Sequence, residues 1–270
     1  MNSEIMKGKR GLIMGVANNH SIAWGIARML HAHGAELAFT HQGEALGKRV
    51  KPLAESVGSN LVLPCDVEDA SSVKAVFEAL KDAWGSIDFV VHAIGFSDKS
   101  ELKGRFVDAT TRENFVRTMV ISAHSFTEVA QHAMPLMTEG GSLLTLTYGG
   151  SVRVMPNYNV MGVAKAALES ITRYLAADLG AQGIRVNAIS AGPMRTLAGA
   201  GISDARAMFN FQKQNAPLRR TVTLEEVGGA ALYLLSDLGG GVTGEIHYVD
   251  SGYNIISMPN PDNLGSAVDN

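Results

Sequence analysis

The 270-residue chain holds one cysteine, Cys65. That excludes an internal disulfide and fits a reducing cytoplasm. It has no run of about 18 apolar residues, the length a membrane helix needs, and Met1-Asn-Ser-Glu-Ile-Met-Lys7 lacks an apolar signal core. Excess positive charge is missing too. Lys and Arg number 23 against 26 Asp and Glu, a net charge of −3, which argues against wholesale binding to nucleic acid. The eight histidines include no His-Glu-x-x-His, and no Gly-x-Ser-x-Gly offers a nucleophile elbow. Ser151, His124 and Asp250 are therefore read as structural. What is present is 46% hydrophobic sequence with 29 scattered glycines, enough for a sizeable core. The expectation is a soluble intracellular globular protein, with no metal and no membrane.

Apolar patterns of two periods alternate along the chain. Strands are predicted at Gly11–Gly15, Glu36–Thr40, Asn60–Pro64, Ile87–Ala93, Ser142–Thr147, Ile184–Ile189 and Ile246–Val249. Ser21 to His33 reads as helix, with Ile22, Ile26, Met29 and Leu30 on one side. Ser71 to Trp84 reads as another, with Val73, Val76, Phe77 and Leu80 as its stripe. Strands joined by helices of this length imply right-handed crossovers and a mostly parallel sheet covered on both faces. No linker or repeat divides the chain. The fold class is α/β, a single doubly wound domain of Rossmann type over residues 1–270 with about seven strands. A tail from Met258, rich in Pro, Asn and Gly, reads as loosely ordered.

Such sheets bind ligands beyond the carboxyl ends of their strands. After the first strand comes Gly15-x5-Ser21-Ile22-Ala-Trp-Gly25. Gly15 permits a tight turn, Ser21 can cap the helix, and Gly25 lets the helix approach the sheet. Free amides at that helix start suit a pyrophosphate, although the stretch is not Gly-x-Gly-x-x-Gly. The second strand ends at Gln42, able to hydrogen-bond a ribose hydroxyl. No Lys or Arg follows until Lys48, which favours NADH over NADPH. Asp66, with Val67, can face an adenine amino group, and Ile94-Gly95 brings a small turn to the same edge.

Tyr158 and Lys165 stand seven residues apart in a segment that reads as helix, so both side chains share one face with a rise of about 10 Å. A phenol and an ammonium so placed can share a site. The cation favours phenolate character, and the phenol can donate a proton or a hydrogen bond.

Together these motifs resemble the short-chain dehydrogenase/reductase superfamily, and within it the divergent bacterial enoyl-acyl-carrier-protein reductases. Commoner members carry Tyr-x3-Lys, which would put tyrosine at Met161, and a serine where this chain has Tyr148. Both departures match the enoyl reductases. So do Gly15-x5-Ser21-Ile-Ala-x-Gly25, Asn157-Tyr-Asn-Val-Met-Gly-x-Ala-Lys165, Val186-Asn-Ala-Ile-Ser-Ala-Gly-Pro193, Arg195-Thr-Leu-Ala198 and Arg219-Arg-Thr-Val-Thr223. The resemblance runs from about Lys7 to about Ser257.

It implies hydride transfer from NADH to C3 of a trans-2-enoyl thioester. Tyr158 would then meet the enolate oxygen and Lys165 the ribose hydroxyls. Tyr148 would be a catalytic partner or an aromatic wall. Tyrosine at 158 lies farther from the lysine than at 161, which suits a carbonyl one conjugated bond away from the hydride-accepting carbon. Met194, Arg195, Thr196, Leu197 and Ala198 would border the cofactor. Phe96, Ser97, Leu102, Met161, Ile202 and Met208 would wall an acyl pocket under a flap at about 193–215. The resemblance further implies acyl carrier protein as partner, with Arg206 and Lys213 as candidate basic contacts, and a homotetramer. A ketone or alcohol dehydrogenase of the same superfamily and a non-catalytic dinucleotide sensor are the alternatives.

Overall fold

The computed structural model describes residues 4–194, 196 and 205–259, the last segment by side chain from Ala207 onward. In chain order the main elements are β1 (Arg10–Met14), α1 (Ile22–Ala32), β2 (Glu36–His41), α2 (Gly43–Ser56), β3 (Val62–Pro64), α3 (Ala70–Trp84) and β4 (Phe89–His92). There follow α4 (Phe106–Ala109), α5 (Arg112–Met119), a π-helical turn at Val120–His124, α6 (Ser125–Ala133), β5 (Gly141–Thr147) and α7 (Val160–Leu179). The chain then forms β6 (Ile184–Ala191), α8 (Ala205–Asn215), α9 (Leu224–Leu235) and β7 (Ile246–Val249). All seven strands pair in parallel, in the order β3-β2-β1-β4-β5-β6-β7.

Alternation along the strands divides the core into two layers. Ile13, Phe39, Val91, Leu144 and Ile189 face α1, α2 and α9. Leu12, Ala38, Val90, Leu143 and Val186 face α3, α6 and α7. The α3 stripe of Val73, Val76, Phe77 and Leu80 is buried as the helical spacing requires. Asp69 caps its start by accepting from the Ser71 amide, and Gly85, at φ 77°, ends it.

Two sequence expectations need correction. Gly25 does not serve an approach of α1 to the sheet; a Cβ there would lie 2.8 Å from Leu224 Cβ, so it serves the contact between α1 and α9. Ser21 occupies the N-cap position of α1 but makes no cap hydrogen bond. Its Oγ instead accepts from the Ala17 and Asn18 amides at 3.0 and 3.1 Å, which shapes the loop after β1.

The strand order reverses direction between β1 and β4, which opens a crevice at their carboxyl ends. Gly15, at φ 95°, brings the two strand ends together there: a Cβ would lie 2.0 Å from Ala93 O.

Candidate active site

Gly15, Gln42, Asp66 and Gly95, named from sequence, lie just beyond the carboxyl ends of β1, β2, β3 and β4. Gln42 Nε2 donates to Asp66 Oδ2 at 3.0 Å, so the ends of β2 and β3 act as one polar edge. The other carboxylate oxygen of Asp66 accepts from the Glu68 amide, and its backbone N–H donates to Ser72 Oγ. Ile22 and Met194 pack against one core layer, Ile94 and Val67 belong to the other. At Gly95 a Cβ would meet Met161 Cε at 3.5 Å, Lys165 Nζ at 3.6 Å and Ser122 Oγ at 3.9 Å. Glycine there keeps the space in front of the ammonium open. These glycines, the Gln42–Asp66 pair and the buried ammonium form a donor and acceptor set that fits a nicotinamide dinucleotide. The Thr196 amide donates to Met194 O at 2.8 Å, while Arg195, Leu197, Ala198 and Ile202 lie outside the described residues.

Tyr158 is not on the helix, as the spacing suggests. Asn157 and Asn159, at φ 59° and 38°, bracket it in a turn, and α7 begins at Val160. The helical rise therefore does not measure its separation from Lys165. The turn is held from outside: Asn159 Nδ2 donates to Glu101 O at 2.9 Å and to Gly104 O at 3.3 Å. The ring rests on bare backbone, since a Cβ at Gly150 would come within 2.5 Å of Tyr158 Cδ1. Gly162 repeats the device, as its Cβ would lie 2.7 Å from Gly150 O. Tyr148 meets Tyr158 edge-on with centroids 5.1 Å apart.

Burial raises the Tyr158 pKa, with a further push from Tyr148. Desolvation favours the protonated phenol over the phenolate, which leaves the hydrogen-bond donor of the two roles read from sequence. Burial also moves Tyr148 up to about 12, aided by Tyr253 and Asp250. Lys165 is buried on α7, donates to Leu146 O at 2.8 Å, and is brought down to about 8 by desolvation against an opposing pull from Glu169.

The acyl-pocket residues divide. Leu102 and Met161 cluster with Tyr158 and Val160, and Tyr148, Met155 and Phe115 pack around them. Ser97 does not face that space; its Oγ accepts from Asn114 Nδ2 and Thr118 Oγ1, both at 3.0 Å, inside the protein. Phe96 is 41% exposed under the Arg117 guanidinium, 4.6 Å from its ring centre, outside the apolar cluster. Arg117 also grips Glu68 in a bidentate pair at 2.8 Å. Met208 lies half-buried on α8. Lys213 is exposed on the same helix, and the Arg206 side chain lies outside the described residues. A cavity of about 110 Å³ adjoins Tyr148 on the side of β6 and β7, bordered by Arg153, Gly192, Gln212, Tyr248, Asp250 and Tyr253.

The sequence model of the enoyl-(acyl carrier protein) reductases matches residues 15–254. The chain belongs to this reductase family. It is 76% identical over 255 residues to "Enoyl-[acyl-carrier-protein] reductase [NADH] 2" of Rhizobium meliloti strain 1021, covering 94% of this chain and 95% of that protein. The crystal structure of FabI from Candidatus Liberibacter asiaticus superposes with a TM-score of 0.94 at 61% identity, covering 96% of this chain and all of that one. The reductase of Anaplasma phagocytophilum, solved in complex with NAD, gives 0.92 at 59% identity, covering 96% of this chain and 98% of its own.

Within this reductase fold, several supporting groups carry little signal in sequence. His92, fully buried at the end of β4, lies 3.1 Å from Thr145 Oγ1 and 2.8 Å from Ser125 Oγ. Burial, then the Lys165 ammonium, brings it down to about 3 and keeps it neutral. Ser122, in the π-helical turn, accepts from the Phe96 amide at 2.9 Å and fixes the loop after β4. Gly150 and Gly162 are legible only once Tyr158 is seen against them. Asp250 accepts from the Gly252 and Asn254 amides, the structural role expected of it.

Proposed function

We propose that this chain reduces the conjugated double bond of an enoyl thioester carried on acyl carrier protein. The observation that carries the reading is a neutral, buried Tyr158 beside Tyr148, with Met161 where a ketone reductase would have its tyrosine. Bound NADH supplies the hydride, to C3. Negative charge then develops on the thioester oxygen, and a preorganised phenol O–H is suited to receive it. A phenol held protonated enters this step as a hydrogen-bond donor, with no prior titration. Lys165 holds the ribose hydroxyls, and its positive potential favours the developing enolate. The edge of Tyr148 fixes the plane of Tyr158 and walls the substrate. Gln42, paired to Asp66 with no nearby cation before Lys48, suits an unphosphorylated adenosine ribose and hence NADH.

Met194 to Ala198 border the nicotinamide. The segment at about 193–215 closes over the acyl chain, with Arg206 and Lys213 toward the acidic carrier. Residues 1–270 act as one domain. The enzyme works as a homotetramer in the cytoplasm, a setting in keeping with the free Cys65 thiol. No helix among the described residues is long and apolar enough to cross a membrane.

The test follows NADH absorbance with a trans-2-enoyl thioester and, separately, with a β-ketoacyl thioester. Oxidation of NADH by the enoyl substrate alone is expected. Turnover of the ketoacyl substrate alone would overturn the reading.

A further inference from the structure

Glu169 lies four residues beyond Lys165 on α7 and is only 5% exposed. A carboxylate that deep is rare without a partner that repays its desolvation. Its Oε1 accepts a 2.7 Å hydrogen bond from Thr147 Oγ1 at the end of β5. Lys165 donates to the carbonyl of the adjacent residue, Leu146. Two neighbouring residues of one strand end therefore hold the two opposite charges of one helix face. Side chains at this spacing have Cβ atoms about 5–6 Å apart.

We propose that Glu169 is a positioning residue, whose buried carboxylate is the counter-charge that keeps Lys165 an ammonium able to hold the cofactor ribose. The inference rests on the reading of Lys165 as the ribose-holding group. Among the described residues Glu169 is the one acid acting on that lysine, and its pull opposes the burial that brings Lys165 to about 8. The other groups at hand compete little. His92 from β4 stays neutral. Tyr158, before α7, and Tyr148, after β5, are phenols raised by burial. Tyr248 from β7 is raised by burial and then by Glu169 itself, with Arg153 opposing.

The test measures NADH dissociation constants by fluorescence from pH 6 to 10 for the parent and for Glu169→Gln, Glu169→Asp and Lys165→Met. Loss of the charge is expected to move the pH at which binding weakens down by about one unit, equivalent to about a fivefold rise in dissociation constant at pH 8 and about a tenfold rise well above it. At pH 6 the Gln variant should bind within about twofold of the parent, as the lysine is then charged in both. Glu169→Asp, which retains the charge, should keep the parental midpoint. A packing role predicts the reverse order: the isosteric Gln variant is parental and the shorter Asp variant impaired at every pH. A parental midpoint in Glu169→Gln overturns the proposal. If that variant does not fold, the Asp variant decides, and a midpoint displaced despite the retained charge overturns it. Lys165→Met tests the underlying reading separately. Its binding should be weak and independent of pH, and parental binding there would remove the role of the lysine itself.

Discussion

Burial acts in opposite directions on two side chains seven positions apart. Desolvation raises the phenol and lowers the ammonium, so Tyr158 stays protonated while Lys165 sits close to losing its proton. Tyr158→Phe should therefore lower kcat by about 100-fold, the scale seen when one oxyanion donor is removed, and leave the NADH dissociation constant unchanged. Stopped-flow turnover together with fluorescence titration checks both halves. The sign of the pH effect follows from the lowered lysine. Below about pH 8 it is charged and can hold the ribose; as pH rises through that value the charge is lost. kcat/KM for NADH should fall above about pH 8, well before an ordinary lysine near 10.4 would titrate. A flat profile to pH 10 would contradict the assignment. The pair itself was legible in sequence from its spacing and from Met161 and Tyr148. The neutral state of the phenol was not, because it depends on packing by residues distant in the chain.

At the scale of elements, the turn before α7 decides where the phenol points. Helical periodicity suggests one continuous helix through Tyr158, but the positive φ of Asn157 and Asn159 breaks it there. Asparagine tolerates that conformation better than most residues, and no periodic pattern signals it. The ring is seated by Gly150 and the start of α7 by Gly162. Gly150→Ala should cut turnover at least tenfold by displacing the phenol, while far-ultraviolet circular dichroism and NADH binding stay parental. Equal turnover in that variant would show that the ring can move without cost. Other elements were legible or hidden for plain reasons. The α3 stripe is buried as its spacing requires, whereas α2 carries Gly47, Pro52 and many charges around a thin stripe of Val50 and Ala54. The directions of Phe96 and Ser97 were hidden, because small and aromatic residues after a strand end do not reveal them. Arg117 covers the first, and Asn114 and Thr118 bind the second.

For the whole molecule, the order of strands matters more than any single motif. A parallel sheet that reverses between β1 and β4 brings four strand ends to one crevice, and α7 enters from the β5 side with the lysine. Alternating apolar patterns announced this architecture, since both faces of each strand are covered. The contact of α1 with α9 through Gly25 and Gly228 was not announced, because it joins segments about 200 residues apart along the chain. Conjugate reduction at a site that divides the cofactor and the enolate oxygen between Lys165 and Tyr158 predicts where the hydride lands. NADH deuterated at nicotinamide C4, incubated with the enzyme and a trans-2-enoyl thioester, tests this most directly by nuclear magnetic resonance of the product. The expected result is a saturated thioester with deuterium at C3 and a solvent proton at C2. Deuterium on the carbonyl carbon, or at C2 with a solvent proton at C3, would contradict it.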